Sequence, residues 1–293
     1  MRSFAINPLQ WYATDRGELD LESGPSLEHV FSEVAKSGFQ FVLAVPPQGM
    51  SVGTYRELLE AHGLAPAPGY FAAHLADEER LAEHVERAHR AGAAQAELGN
   101  TEVFVADELN SERRQAAATG VGYSAKRMQS VIASLQAIAE AITAEGVTPC
   151  MHPHVGSWIE TESEAEEVLA GIDDSVLAFG PDTGHLAWAG ADPAALIARH
   201  ADRVGAMHLK EVRLDVATQS RTEHWDYARA ARAGLWAEPG RGDVKLEAVM
   251  AAFEQARSRP FTGWYVVEVD QPSLPTPLES ATASYGWVVA HSS

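Results

Sequence analysis

The sequence predicts an α/β protein, a (β/α)₈ barrel built as one domain over residues 1–293, and three observations carry that prediction. Eight short apolar runs alternate with helix-period patterns along the chain. The alternation persists from end to end, which favours a parallel sheet with crossover helices over separate helical and strand blocks. No Gly-x-Gly-x-x-Gly follows the first strand, so the open doubly wound sheet, the structural alternative, lacks its nucleotide-binding turn.

Each element can be justified in order. Phe4 to Pro8 is a first strand, and Leu27, Val30, Phe31 and Val34 recur at helix spacing between Ser26, an N-cap, and Gly38, a stop. Phe41 to Val45 is the second strand. A capping box of Thr54 with Glu57 opens the next helix, which ends at Gly63. Leu64 to Tyr70 is a weaker third strand, because Pro66 and Pro68 interrupt it. Leu81, Val85 and Ala88 mark a helix that stops at Gly92, and Glu102 to Val105 is the fourth strand. The longest helix keeps Met128, Val131, Ile132, Leu135, Ile138 and Ile142 on one face until Gly146. Thr148 to His152 is the fifth strand, followed by a capping box of Thr161 with Glu164 and a helix through Val168 and Leu169. Val176 to Phe179 and Val204 to Lys210 are strands six and seven, separated by a helix that Asp192 and Pro193 begin. Residues 211–243 show no period and read as a long active-site loop. A helix around Leu246, Val249, Met250 and Phe253, the eighth strand Trp264 to Glu268, and a closing helix over 278–290 complete the chain.

Composition narrows the function. The 293 residues are 46% hydrophobic, enough for a large core, and carry 22 Lys plus Arg against 41 Asp plus Glu, a net charge of -19. Such a surface repels phosphate backbones and anionic membranes, which argues against a nucleic-acid or membrane partner. Cys150 is the single cysteine, so no disulfide forms within the chain. With no apolar signal core at the N-terminus and no apolar run of membrane-spanning length, the expected location is cytoplasmic.

A barrel places its chemistry at the carboxyl ends of its strands. The polar residues there are His152 and His154 after strand five, Asp182 and His185 after strand six, His208 and Lys210 after strand seven, and Glu268 and Asp270 after strand eight. His152 precedes Asp182 by 30 residues and Asp182 precedes His208 by 26, about one strand-helix unit each; 60 residues separate His208 from Glu268, one unit plus the long loop. A strand-end histidine by itself commonly satisfies a local hydrogen bond. His152, Asp182, His208 and Glu268 together form a mixed imidazole-carboxylate set suited to a divalent metal with open positions for substrate oxygens.

Asp182-Thr183-Gly184-His185-Leu186, Met207-His208-Leu209-Lys210 and Val267-Glu268 resemble the xylose-isomerase-like TIM-barrel superfamily of sugar phosphate isomerases and epimerases. Within it, Ile6-Asn7-Pro8-Leu9-Gln10-Trp11, His152-Pro153-His154-Val155-Gly156 and Ala189-Gly190-Ala191-Asp192-Pro193 are similar to the inosose (2-keto-myo-inositol) dehydratase branch. The resemblance covers nearly the whole chain and implies that Asp182, His208 and Glu268 are metal ligands. The superfamily usually has a glutamate at the end of strand five, where this chain has His152, with His154 two residues on and on the same face. An imidazole there makes the site softer and favours Mn²⁺ or Co²⁺, with Zn²⁺ and Mg²⁺ as alternatives. A second departure is Val45-Pro46-Pro47 at the end of strand two, where relatives often carry an acidic residue.

A divalent metal polarises a ketone and stabilises the enediolate formed on loss of an adjacent proton. Protonation at the neighbouring carbon then isomerises or epimerises the sugar, and loss of a β-hydroxyl dehydrates it. The resemblance implies dehydration of a keto-inositol or keto-sugar. Isomerisation or epimerisation of ketoses, elimination from a 3-keto-glycoside, the abasic-site endonuclease chemistry of the same superfamily and a metal-free sugar-binding or assembly subunit are the competing readings. The endonucleases carry an additional Asp-x-His pair after strand seven, which residues 211–243 lack. Lys210, His154 and His185 are the candidate proton carriers; for Lys210 a salt bridge, and for His185 the orientation of Asp182, are the structural alternatives. Arg241, in the turn Glu238 to Asp243, is a candidate for substrate binding against a plain solvated turn, and Trp11 is a candidate for stacking on a sugar ring against packing between strands and helices. Cys150 reads as a buried inert thiol. Residues 271–293 offer a segment for a subunit contact, leaving a homo-oligomer open.

Overall fold

The computed structural model describes residues 2–292. Its strands are β1 (Ser3–Asn7), β2 (Phe41–Leu43), β3 (Ala65–Ala67), β4 (Gly69–Ala73), β5 (Glu102–Asp107), β6 (Thr148–Met151), β7 (Ala178–Phe179), β8 (Ala206–Leu209), β9 (Glu211–Val212), β10 (Trp236–Ala237) and β11 (Trp264–Glu268). Two parallel sheets, ordered β3-β2-β1-β11-β8 and β4-β5-β6-β7, make the barrel wall. The prolines of the third strand explain why there are two. Proline cannot donate to the ladder; the chain bends at Pro68, so that β3 pairs with β2 and β4 with β5. β3 and β4 thus share one position of the eight. On the opposite side the barrel closes through the parallel bridges Phe179 to Val204 and Asp182 to His208.

Side chains alternate between the two faces of each strand. Ala5, Leu43, Ala67, Phe104, Cys150, Ala206 and Val266 point inward and fill the barrel as one buried cluster. Their neighbours, such as Phe4, Ile6, Val103, Val105, Met151, Met207, Tyr265 and Val267, face the surrounding helices. Two residues beyond the inward layer, the same alternation carries Asn7, His152, His208 and Glu268 to the barrel mouth. Cys150 is fully buried and free, and burial pushes its thiol up, as an inert sulfur requires.

The helices follow their sequence signals with two exceptions among the early ones. Ser26 caps Leu27–Ser37, Gly38 ends it at φ 107°, and the Thr161 box with Glu164 is fully formed on Glu162–Gly171. Asp192 caps Pro193–Arg199, and the closing helix is Pro277–Ala290. The helix Val52–Ala61 is instead capped by Ser51, whose oxygen accepts from Thr54 N–H, so Thr54 lies inside the helix. The helix expected to stop at Gly92 runs Leu81–Leu98 and ends at Gly99. Gly92 serves packing there: a Cβ on it would stand 3.2 Å from the Ile142 Cα on the helix Ala125–Ala144.

Residues 211–243 are ordered rather than a structureless loop. β9 and β10 pair antiparallel, and the helices Leu214–Thr222 and Tyr227–Arg232 lie between them. This excursion packs Trp188, Trp225, Trp236, Leu235 and Val155 into a core of its own over the barrel mouth. Among the described residues no helix is long and apolar enough to cross a membrane.

Candidate metal centre

His152, Asp182, His208 and Glu268 meet at the carboxyl ends of β6, β7, β8 and β11, each almost completely buried. Asp182 caps the short helix Thr183–Trp188: its Oδ1 accepts the Gly184 and His185 N–H groups and its Oδ2 is left facing the centre. His152 Nε2 lies 3.9 Å and His208 Nδ1 3.7 Å from that oxygen, while His208 Nδ1 lies 3.0 Å from Glu268 Oε2. Two donors each about 2.1 Å from one ion stand roughly 3–4 Å apart, so these spacings suit a shared metal. Three further features fit. The His152 Nδ1–H donates to the Gly180 carbonyl at 3.1 Å, which turns Nε2 with its lone pair toward the centre. Among the described residues the His152 Nε2 and His208 Nε2 are buried without a hydrogen-bond partner, a costly arrangement that a metal would relieve. Phe104 forms the floor, its ring 4.2 Å from His208.

Lys210, fully buried, neutralises part of this charge. Its Nζ lies 2.5 Å from Glu268 Oε1, 2.8 Å from Asp270 Oδ1 and 3.4 Å from Asp182 Oδ2, and donates to His185 Nε2 at 3.0 Å. Burial opposes its charge, but the three carboxylates outweigh burial and hold its pKa well above the lysine range. Burial likewise opposes the charge on Asp182, and there Lys210 and the neighbouring imidazoles prevail and lower the pKa. His208 is pushed up to about 9 because Glu268 and Asp182 overcome its desolvation. Asp270 rises to about 7, through burial first, despite Lys210.

Of the other candidates, His185 borders the centre, forming a further possible ligand group with Asp182 and Glu268, its Nε2 4.0 Å from Asp182 Oδ2. His154 does not join His152; it forms a second group with His185 and Asp270, its ring tilted 41° to that of His185 with centroids 3.7 Å apart. Burial and then Lys210 lower its pKa to about 4, and its Nδ1–H donates to the Val155 carbonyl. Trp11 is not brought to the site: its ring sits in the layer between strands and helices and its Nε1–H donates to Glu33 at 2.6 Å. Arg241 is exposed in the turn after β10 and borders neither chamber at the barrel mouth. Trp236 is the tryptophan that walls the site, 4.9 Å from Lys210 Nζ and 5.3 Å from His185.

Asn7, Tyr70, Tyr227 and Asp270 are the contributors that sequence reasoning left without a role. Asn7 donates to Glu268, its register partner across β1 and β11, and Tyr227 O–H donates to Asp270 at 3.0 Å. Asp270 could have been assigned one, since it stands two residues beyond Glu268 on the same face. Two chambers open from the centre. One of about 710 Å³ reaches Asn7, Tyr70, His152 and Glu268, and one of about 380 Å³ reaches Tyr227, Trp236 and Asp270; His154 borders both.

Known proteins agree with this architecture. The inosose dehydratase of Geobacillus thermodenitrificans (strain NG80-2) is 28% identical over 283 residues, covering 94% of this chain and 92% of its own. The solved structure of a probable 3-DHS dehydratase, AsbF from Bacillus anthracis, superposes with a TM-score of 0.70 at 12% identity and 98% coverage of both chains. The IolI protein, solved with a bound zinc atom, gives 0.67 at 14% identity, covering 98% of this chain and 97% of its own. Residues 31–289 match the family model described as xylose isomerase-like TIM barrel. Because that model spans most of the chain, the chain belongs to the xylose isomerase-like TIM barrel family.

Proposed function

We propose that this protein is a divalent-metal-dependent lyase that dehydrates a keto-inositol or keto-sugar through an enediolate. The observation that carries the reading is the convergence of ligand atoms from His152, Asp182 and His208, within 4.8 Å of one another and buried beside Glu268 at adjacent strand ends. These four residues would hold the ion, with Mn²⁺ or Co²⁺ best matched to two imidazoles and two carboxylates. Bound there, it supplies Lewis-acid polarisation of the substrate ketone. Dehydration is favoured over isomerisation by the inosose dehydratase and 3-DHS dehydratase names among the relatives.

Of the chain's own groups, one moves the proton and another fixes the charge around it. His154 is neutral over the ordinary pH range, and with Nδ1–H held by the Val155 carbonyl its Nε2 is free to accept the proton next to the ketone. Lys210, kept as an ammonium by its carboxylates and with its N–H groups engaged by Glu268, Asp270 and His185, stays charged and holds those groups in place, while the proton that His154 takes up passes on to the departing hydroxyl. Trp236 and Phe104 exclude water from the centre. The larger chamber has no Lys or Arg in its lining, which matches an uncharged polyol better than a sugar phosphate.

Incubating the protein with 2-keto-inositol, ketohexoses and 3-keto-glycosides, with Mn²⁺ or with chelator, tests the reading. The expected result is an enone or dione absorbance that needs the metal and falls below about 1% of wild type in Asp182→Asn. Turnover undiminished by exhaustive chelation would overturn the metal assignment, and solvent deuterium uptake without water loss would move the reaction to isomerisation.

A further inference from the structure

The larger chamber contains surface that dehydration of a small polyol does not use. Its volume of about 710 Å³ lies within the roughly 300–1,000 Å³ of pockets that enclose drug-sized ligands, whereas a keto-inositol has only about a dozen non-hydrogen atoms. A bare polyol also needs a polar partner for each hydroxyl it buries. Such partners concentrate at one end, where Asn7, His152, His154 and Glu268 stand. Away from them the wall is formed by Leu9, Leu27, Phe31, Leu43 and Tyr55. Asp107, the buried carboxylate on that side, is already engaged: its two oxygens accept the Leu75 and Trp158 N–H groups at 2.9 and 2.7 Å.

The mouth has the same character. Leu21, Val45 and Leu109 are 63%, 45% and 39% exposed, and all three border this chamber. Exposed apolar side chains scattered singly need no explanation, but a group of them around one opening marks a binding surface. Glu22 and Glu108 are the charged groups nearest the rim, so an anionic occupant is disfavoured.

We propose that the substrate is amphipathic: a keto-polyol ring seated against Asn7, His152, His154 and Glu268, carrying an uncharged apolar substituent of aromatic size that fills the chamber between Leu27, Leu43 and Tyr55. This inference rests on the proposed function for its polar half. The polar end fixes where the ring carbonyl sits, and the apolar wall selects substrates by what the ring carries.

Binding and turnover test the two halves separately. Phenyl β-D-glucoside and methyl β-D-glucoside, which lack the ketone and cannot react, are titrated calorimetrically into the Mn²⁺-loaded protein. The phenyl compound is expected to bind at least about tenfold more tightly, from burial of the ring, and Leu21→Asp or Val45→Asp, on exposed positions that folding tolerates, should reduce that preference. The 3-keto derivatives of both glucosides and 2-keto-inositol are then compared by kcat/KM, with the phenyl 3-keto compound expected to lead. Equal binding of phenyl and methyl glucosides overturns the inference, whatever is turned over. A phenyl preference without metal-dependent proton exchange on any keto compound leaves the apolar subsite standing and removes the lyase reading instead. If Leu21→Asp dissociates an oligomer and leaves the phenyl preference intact, the rim belongs to a second copy of this chain, and the inference falls.

Discussion

Lys210 places a full positive charge, with no exposure to solvent, among Asp182, Glu268 and Asp270. Removing one partner of such a buried group leaves the others uncompensated, at about 3–5 kcal/mol. A divalent ion between Asp182 and Glu268 supplies the same compensation. Lys210→Met should therefore destabilise the metal-free protein by about that amount and the Mn²⁺-loaded protein by clearly less, read as unfolding midpoints with and without chelator. The same loss in both states would count against the proposed ligand set. At this scale much was legible in the sequence. His152, Asp182, His208 and Glu268 could be brought together because a polar residue ending an apolar strand is conspicuous, and Lys210 followed from its two-residue offset to His208. Asn7 and Tyr227 were not, since their roles depend on the pairing of β1 with β11 and on the path of the 211–243 excursion, neither of which has a local signature.

That excursion is where element-level reading failed, and the reason is length. Helices of nine and six residues pass through about two and a half turns or fewer, too little for a period to stand out, and β9 and β10 have two residues each. Its order comes from particular contacts. Glu211, buried on β9, uses one carboxylate oxygen to accept the Val244 N–H at 3.0 Å and the other to accept the Gly240 N–H, pinning the turn that carries Arg241. Burial pushes its pKa up to about 7. Because that value lies above the unfolded one, near 4.3, its favourable contribution is complete below about pH 4 and is lost as pH rises through 7. Glu211→Gln, which has no proton to release, should flatten the fall in unfolding free energy between pH 5 and 8, measured by urea titration. An unchanged slope would show that Glu211 does not titrate in that range. The longer elements gave stronger signals: Ala125–Ala144 shows its apolar face over five turns, and Thr161 with Glu164 announces the following helix. Thr54 and Gly92 misled because either residue suits more than one position, and only tertiary packing selects Ser51 as the cap and Gly92 as the close approach.

Across the whole molecule the barrel has two seams, and they differ in strength. At Pro68 the wall is continuous through the chain itself, since β3 and β4 follow one another. Between β7 and β8 the closure rests on two isolated bridges, and one of them is Asp182 to His208. Two of the four proposed ligands therefore face each other across the thinner seam, with His152 on β6 and Glu268 on β11 just outside it. An ion held by all four ties the sheet ending in β7 to the sheet ending in β8. Binding only the folded state at a free concentration about 100 times Kd contributes about 2.7 kcal/mol, which for a chain of this length raises the melting temperature by about 4 °C. The gain should also be local. Amide hydrogen exchange is expected to slow in Ala178–Phe179 and Ala206–Leu209 when Mn²⁺ is added to chelator-treated protein, with much smaller changes in Phe41–Leu43 and Ala65–Ala67 on the far side. Uniform protection around the barrel would indicate general stabilisation without a cross-link at this seam. An unchanged melting temperature would remove the ion from the strand ends altogether, leaving Lys210 as the permanent cation of the centre.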